Sequence, residues 1–338
     1  MEEHSRFSRH NILLFMINNK ALLLMILMII AASFASPMFL TARNITTVAR
    51  QISVASIVAI GYTLIFTAGQ FDLSVGEILA LCGIIYGTLL RIIPLPLAIA
   101  VAIIIGASCG LLNGTLIRVF KLPAFVLTLA IANIYRGITF QMTGGASVFG
   151  FPNAAIQIGQ GTVLGNIPVP TLIMLLILLI VAFVVNKTIF GRHLIATGGN
   201  VEAARVSGIR INVMRVSVFV IAGVCAAIGA IVLAGRQGAA VPNAGDGFAL
   251  DAIAAVTIGG TAMRGGKSKV IGTLWGVILI ALIGNMLTLN NVSPYWQWMV
   301  KGAIIIAAII LDNQTETLLN KIRENDVLKA VALEAGKK

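Results

Sequence analysis

Residues able to do chemistry are few in this chain, and most of them stand inside apolar segments. Asp72 and Glu77 lie in Gly69-Gln70-Phe71-Asp72-Leu73-Ser74-Val75-Gly76-Glu77, and Asn113, Asn133, Arg136, Gln141, Asp251, Asn285 and Lys301 follow in later apolar runs. A charge in a bilayer core costs about 3 kcal/mol or more, so such groups face a partner or a water-filled path. Asn, Gln and Asp side chains suit hydrogen bonding to a hydroxyl-rich ligand. Each one singly also has a structural reading, as an interhelical hydrogen bond or a helix cap. Asp72 fits a cap on the segment that follows it, with Glu77 one turn later, and Arg136 fits an ion pair with Asp72 or Asp251.

Other chemistries find little to work with. His4 and His10 lie in the N-terminal tail and His193 in a polar segment, so no intramembrane His–carboxylate pair exists for a proton relay or a metal site. Cys82, Cys109 and Cys225 lie within apolar runs without ligand spacing and read as packing residues. Ala262-Met263-Arg264-Gly265-Gly266-Lys267-Ser268 looks like a nucleotide-binding P-loop, but Thr261 stands where the motif requires its first glycine. No catalytic residue, metal ligand or cofactor-binding residue is expected in this chain.

One polar, charged island, residues 191–208, interrupts the apolar pattern: Gly-Arg-His-Leu-Ile-Ala-Thr-Gly-Gly-Asn-Val-Glu-Ala-Ala-Arg-Val-Ser-Gly. Asn200 is a good N-cap, and Glu202 then sits near the positive end of the helix dipole. Ala203 and Ala204 are strong helix formers with almost no side chain, and the face they share is smooth enough to lie close against another surface. Arg205 lies toward the negative end, and Gly208 suits the left-handed conformation that stops a helix. The segment reads as a capped helix of about two turns behind a flexible Gly198-Gly199 pair. The plainer alternative is a solvated loop.

The elements that position these residues follow from composition. Of 338 residues 58% are hydrophobic and 11% charged, with mean hydropathy +0.99. Apolar runs approaching the roughly 20 residues that cross a bilayer as helix indicate an all-α, polytopic membrane helical bundle. Ten spans are expected, at about 20–36, 50–68, 72–90, 95–117, 123–142, 167–186, 213–235, 249–262, 270–289 and 296–311. The third and eighth are short or bounded by glycine, a pattern that marks broken helices near a transport path. The first run also fits the core of a signal peptide, and its cleavage would leave the remaining topology unchanged. Trp296, Trp298 and Tyr295 open the last span as interface anchors or, alternatively, as a stacking surface for a sugar ring.

Charge sets the orientation. With the N-terminus inside, most of the 24 Lys and Arg fall on inside segments, whereas the outside segments hold Arg43, Arg50, Arg91 and Arg236, and the loop 143–166 has no charge. Both termini and the island are therefore expected in the cytoplasm. The net charge of +12 is explained by topology, and nucleic acid binding, which wants a folded basic domain, is not expected.

Three segments carry a family likeness: Phe190 to Ile209, Gln70-Phe-Asp-Leu-Ser-Val-Gly76, and Leu250-Asp-Ala-Ile-Ala-Ala-Val-Thr-Ile-Gly-Gly-Thr261 with Gly265-Gly266. Together and in this order they resemble the permease subunits of ribose, galactose and arabinose type ABC importers, within the branched-chain-type permease superfamily, over about residues 20–312. The resemblance implies that the island is a cytoplasmic coupling helix, with Gly198, Gly199, Asn200, Glu202, Ala203, Ala204, Arg205 and Gly208 matching the pattern. It further implies a second permease chain, identical or different, a cytoplasmic ABC ATPase that holds the ATP and Mg, an extracytoplasmic sugar-binding protein, and residence in the bacterial inner membrane. Ala68-Gly69-Gln70-Phe71 departs from the Gly-Gly-Ile or Gly-Gly-Phe that such permeases often carry, and Ala262 stands where a Ser is common.

The expected organisation is a cytoplasmic tail (1–19), a transmembrane permease domain (20–312) with its coupling loop at 187–212, and a second tail (313–338). Gln70, Phe71, Asp72, Asn113, Asn133, Gln141 and Asn285 are the candidates for a translocation path that binds sugar weakly. An ion-gradient-coupled secondary sugar transporter is the alternative, kept open by Asp72, Glu77 and Asp251. A membrane enzyme lacks any cluster with catalytic spacing.

Overall fold

The computed structural model describes residues 19–310 apart from 164 and 308, together with residue 314. The tails that carry His4, His10 and the terminal cations lie outside the described residues. Helices follow in chain order as α1 (Lys20–Ala35), α2 (Ala42–Thr67), α3 (Val75–Leu89), α4 (Leu95–Phe120), α5 (Ala124–Thr143), α6 (Asn153–Gln160), α7 (Val169–Lys187), α8 (Ile189–Gly199), α9 (Val201–Val206), α10 (Ile211–Gln237), α11 (Phe248–Ile258) and α12 (Val270–Leu289). Residues 294–307 form a further helix. The described strands are β1 (Thr162–Val163) and β2 (Ile167–Pro168), which pair antiparallel between α6 and α7.

Local chemistry sets many boundaries. Thr41 caps α2 by accepting from the Asn44 amide, and Pro94, Pro123 and Pro168 stand immediately before α4, α5 and α7, where a preceding turn of helix is disfavoured. Among the described residues α2, α4, α5, α7, α10 and α12 are long and apolar enough to cross a membrane. The chain is a multi-pass, all-α membrane protein. The expected spans at 20–36, 72–90 and 249–262 differ from this pattern: α1 has 16 residues, α3 15 and α11 only 11, so they rise about 24, 22 and 16 Å against a hydrocarbon core of about 30 Å. The expected tenth span, 296–311, is helical from 294 to 307 and ends outside the described residues.

The short helices α3 and α11 belong to two matched units. A long helix, α2, is followed by a non-helical stretch and then α3; a second long helix, α10, is followed by a non-helical stretch and then α11. The units run in opposite directions. The end of α2, at Thr67, meets the island at Gly198, whereas the end of α10, at Gly235 and Arg236, meets Gly159 of the loop on the opposite face. The long helices pack on each other, with no room for a side chain at Gly61, where a Cβ would stand 2.7 Å from Cys225 Cβ. Each is flanked by the other unit's next long helix, α10 by α4 and α2 by α12. This is the arrangement of inverted-topology repeats.

Glycine permits the closest of these contacts. Gly106, Gly110 and Gly114 recur every fourth residue on α4 and face Gly223, Phe219 and Val216 of α10; a Cβ on Gly110 would run into the Phe219 carbonyl. Such a stripe lets membrane helices approach until their backbones touch, which is how they gain packing energy without a hydrophobic driving force. The cytoplasm-expected and outside-expected segments separate onto two faces accordingly. On the face opposite the island, Arg91 donates to the Phe149 carbonyl at 3.0 Å and Arg50 to the Gln160 carbonyl, while Gln160 Nε2 donates to the backbone carbonyl of Arg236, so the uncharged 143–166 loop supplies acceptors to two of these cations and a donor to the backbone of the third.

Candidate functional site

The island folds into two short helices. Thr188 caps α8 by accepting from the Gly191 amide, and Asn200 Oδ1 caps α9 by accepting from the Ala203 amide at 3.0 Å. Glu202 and Arg205 form a 2.7 Å pair on the exposed face, and Gly208, at φ 81°, ends the turn. The helix covers six residues, about 9 Å and close to the expected two turns. Two details correct the expectation. Ala203 is exposed but Ala204 is buried, so the two alanines do not share one outward face. Successive helical residues point about 100° apart, and only one of them can face out. Val206, which the sequence reading passed over, is 89% exposed and supplies an apolar tip beside the ion pair.

Gly198 and Gly199 are the second correction, for they close α8 and form a packed contact in place of a flexible link. A Cβ at Gly198 would collide with the Thr67 carbonyl and stand 2.5 Å from the Gly266 amide nitrogen. The Gly266 amide donates to the Thr67 carbonyl at 3.1 Å, and Gly265, at φ 90°, lies against both Gly198 and Gly69. Thus α8 rests on the segment that leads into α3 and on the segment that leaves α11. These are contacts of backbone on backbone. Nearby, burial and then the charges of Lys267 and Lys20 hold the Lys269 ammonium below the usual lysine range.

The start of α3 is held by a buried polar network. Asp72 Oδ1 accepts from the Ser74 amide at 2.7 Å and from Ser74 Oγ at 2.6 Å; Asn113 Nδ2 donates to Ser74 Oγ at 2.7 Å; Tyr135 donates to Asn113 Oδ1 at 3.0 Å. The Asp72 and Leu73 amides donate to Tyr62 Oη and Thr128 Oγ1, both at 3.1 Å. These bonds tie the non-helical stretch to α2, α4 and α5, since extended backbone at membrane depth must find partners inside the protein. Asp72 and Asn113 are buried here.

The other path candidates are not gathered with them. Gln70 folds back on the Gly69 carbonyl, Phe71 stands edge-on to Phe66 at 5.1 Å, and Asn133 donates to the Leu129 carbonyl on its own exposed helix face. Gln141 is exposed near the end of α5, and Asn285 exchanges two hydrogen bonds with Asn44 on α2. The cations also pair otherwise than the sequence suggests: Arg136 meets Glu77 at 3.6 Å and Asp246 at 3.2 Å, and Asp251 meets Lys301 at 2.7 Å. In both units a carboxylate in the first turn of the short helix meets a cation on a later helix. The N-termini of α3 and α11 touch where Gly76 abuts the Gly245 carbonyl.

The profile of the family described as Branched-chain amino acid transport system / permease component matches residues 44–309. The chain belongs to this family. The chain is 37% identical over 308 residues to a ribose import permease protein of Haemophilus influenzae, covering 90% of this chain and 95% of that one. A ribose import permease protein of Bacillus subtilis is 39% identical over 291 residues (85% and 90%), and a D-allose transport system permease protein of Escherichia coli is 37% identical over 292 residues (86% and 89%). No solved structure matches.

As a member of this family of permeases, the chain presents two features that its sequence signalled only indirectly. The short α11 matches a short, glycine-bounded run, whereas the shortness of α3 and the ion pairs Glu77–Arg136 and Asp251–Lys301 depend on contacts between segments distant in the chain. Among the described residues no group of three His, Cys, Asp or Glu side chains is placed to hold a metal ion. The family match supports transport in this permease.

Proposed function

We propose that this chain is the membrane-spanning permease subunit of an ATP-driven ABC importer, moving a monosaccharide that an extracytoplasmic binding protein delivers. In this reading both termini and the island lie in the cytoplasm of a bacterial inner-membrane protein, and two permease chains enclose the path. The observation that carries it is the seat of α8 and α9: an exposed, capped helix whose base touches Thr67 and Gly266, the segments joined to the two short helices. A cytoplasmic ATPase gripping Glu202, Ala203, Arg205 and Val206 would move α8, and α8 would shift the ends of α3 and α11 together. Alternating access follows when their meeting point at Gly76 and Gly245 opens to one side and then the other.

The relatives named above as ribose and D-allose permeases support a monosaccharide cargo. The test uses Ala203→Trp, which places bulk on the exposed face and leaves buried Ala204 intact. Expected are normal membrane insertion and thermal stability, with loss both of co-purification with the ATPase subunit and of ATP-dependent monosaccharide uptake. Undiminished uptake would overturn the coupling assignment.

A further inference from the structure

We infer that the cavity between α2, α11, α12 and the helix at 294–307 is a binding station for a single monosaccharide ring, an inference that rests on the reading of the chain as a monosaccharide permease. The cavity measures about 220 Å³, room for about seven waters and hence for one polyhydroxylated five- or six-membered ring. Four helices bring polar groups to its wall: Gln51 from α2, Asn285 and Thr288 from α12, Gln297 from the last helix, and the Asp251–Lys301 pair between α11 and that helix. Alanines at 55, 252 and 281 leave the space open, and the half-buried Phe248 ring offers an apolar surface for the C–H face of a sugar.

The polar groups have capacity left for a ligand. The exposed Gln51 amide makes no hydrogen bond to any described residue and stands on a helix long and apolar enough to cross a membrane. Gln297 Nε2 donates to the Val292 carbonyl at 3.1 Å and reaches Thr288 Oγ1 only at 3.4 Å, leaving its carbonyl oxygen free to accept. Asp251 gives one oxygen to Lys301 and keeps another to accept a hydroxyl. Neutral amides, a hydroxyl and a compensated carboxylate are the groups that recognise vicinal hydroxyls. A net anionic sugar phosphate would meet one paired cation and no spare one, so the station selects an uncharged sugar.

The chain's own cysteines make the test clean, because Cys82, Cys109 and Cys225 are all buried. Thr47→Cys, at an exposed lining position that leaves every assigned sugar-binding group in place, and, as a control, Val206→Cys are placed in the full chain in lipid nanodiscs and modified with a water-soluble maleimide, with and without D-ribose, D-allose or D-xylose. With sugar at about twice its Kd two thirds of the sites are filled, so modification at 47 is expected to slow about threefold while 206 is unaffected. Sucrose, two rings, should give no protection, and Gln297→Leu should weaken protection by the monosaccharides severalfold.

A thiol at 47 that the maleimide never reaches, or one that none of the three sugars protects, overturns the station. ATP-dependent uptake measured with the complete importer separates this from the reading beneath it. Uptake without protection overturns the station alone, protection without uptake overturns the transport reading alone, and the absence of both overturns the two together.

Discussion

The short helices α3 and α11 begin side by side, in units of opposite direction, yet their first turns are held in different ways. Ahead of α3, Asp72, Ser74, Asn113 and Tyr135 form a closed chain of hydrogen bonds, with Asp72, Ser74 and Asn113 buried to 1% exposure or less. Ahead of α11, Gly247 at φ 81° opens the helix with no side-chain cap, and Asp246 is 45% exposed. The same backbone design is thus a scaffold in one unit and an adjustable surface in the other. Buried polar groups that satisfy one another resist movement, because each bond broken inside the protein leaves a partner without water. Half-exposed groups exchange partners at little cost. The cavity lies on the second side, beside α11.

The largest effect expected from this contrast is at Asp72. Asp72→Ala strips the Ser74 amide and hydroxyl of their acceptor in a dry site and should cost about 3 kcal/mol or more. Asp246→Ala, removing a half-exposed carboxylate from Arg136, should cost under about 1 kcal/mol. Unfolding of the purified proteins in mixed detergent–SDS micelles measures both. Equal losses would break the comparison.

A smaller effect should be alike in the two units. Gly76 and Gly245 each abut the other's carbonyl, so Gly76→Ala and Gly245→Ala both force backbone apart and should each cost about 1–3 kcal/mol. The same micelle titration reads them. If only Gly76→Ala destabilises, the second unit yields even at the junction, and the contrast sharpens.

How much of this was legible from sequence depends on the range of the interaction involved. The caps at Asn200 and Gly208 are local and were readable, because a capping side chain and the helix it starts are neighbours in the chain. The shortness of α11 was readable as a short apolar run ending in Gly259-Gly260, whereas α3 was expected as a full span at 72–90 and is cut to 15 residues by the non-helical stretch that the Asp72 network holds. Gly198 was misread for a physical reason: glycine is demanded equally by a flexible joint and by a backbone contact, and only the position of Thr67 and Gly266 distinguishes them. The burial of Ala204 depends likewise on what lies under α9. Asp72 was expected to cap the following helix, but its carboxylate accepts from Ser74 ahead of α3, and the bonds that continue from Ser74 to Asn113 and Tyr135 join residues tens of positions apart. Arg136 was expected to pair with Asp72 or Asp251, but inverted packing, invisible in any one segment, selects Glu77 and Asp246.

The smallest expected effect concerns the two cations that mark the matched units. Arg136 is 46% exposed and holds two carboxylates, with the Phe140 ring 5.7 Å away, whereas Lys301 is 38% exposed and holds one. Partial exposure screens both, so Arg136→Gln and Lys301→Gln should each change stability by no more than about 1 kcal/mol. Transport should separate them. Arg136 ties α5 to the first turn of α3 and to the loop before α11 at once, so its loss frees the junction of the two units, and initial uptake rates should fall at every sugar concentration. Lys301 ties the last helix to α11 across the cavity wall, so Lys301→Gln frees Asp251 to move and should act chiefly on the apparent KM for sugar. Uptake kinetics across sugar concentrations distinguish a lowered maximal rate from a raised KM. The reverse assignment, with KM moved by Arg136 and rate by Lys301, would place the adjustable surface in the first unit and invert the comparison.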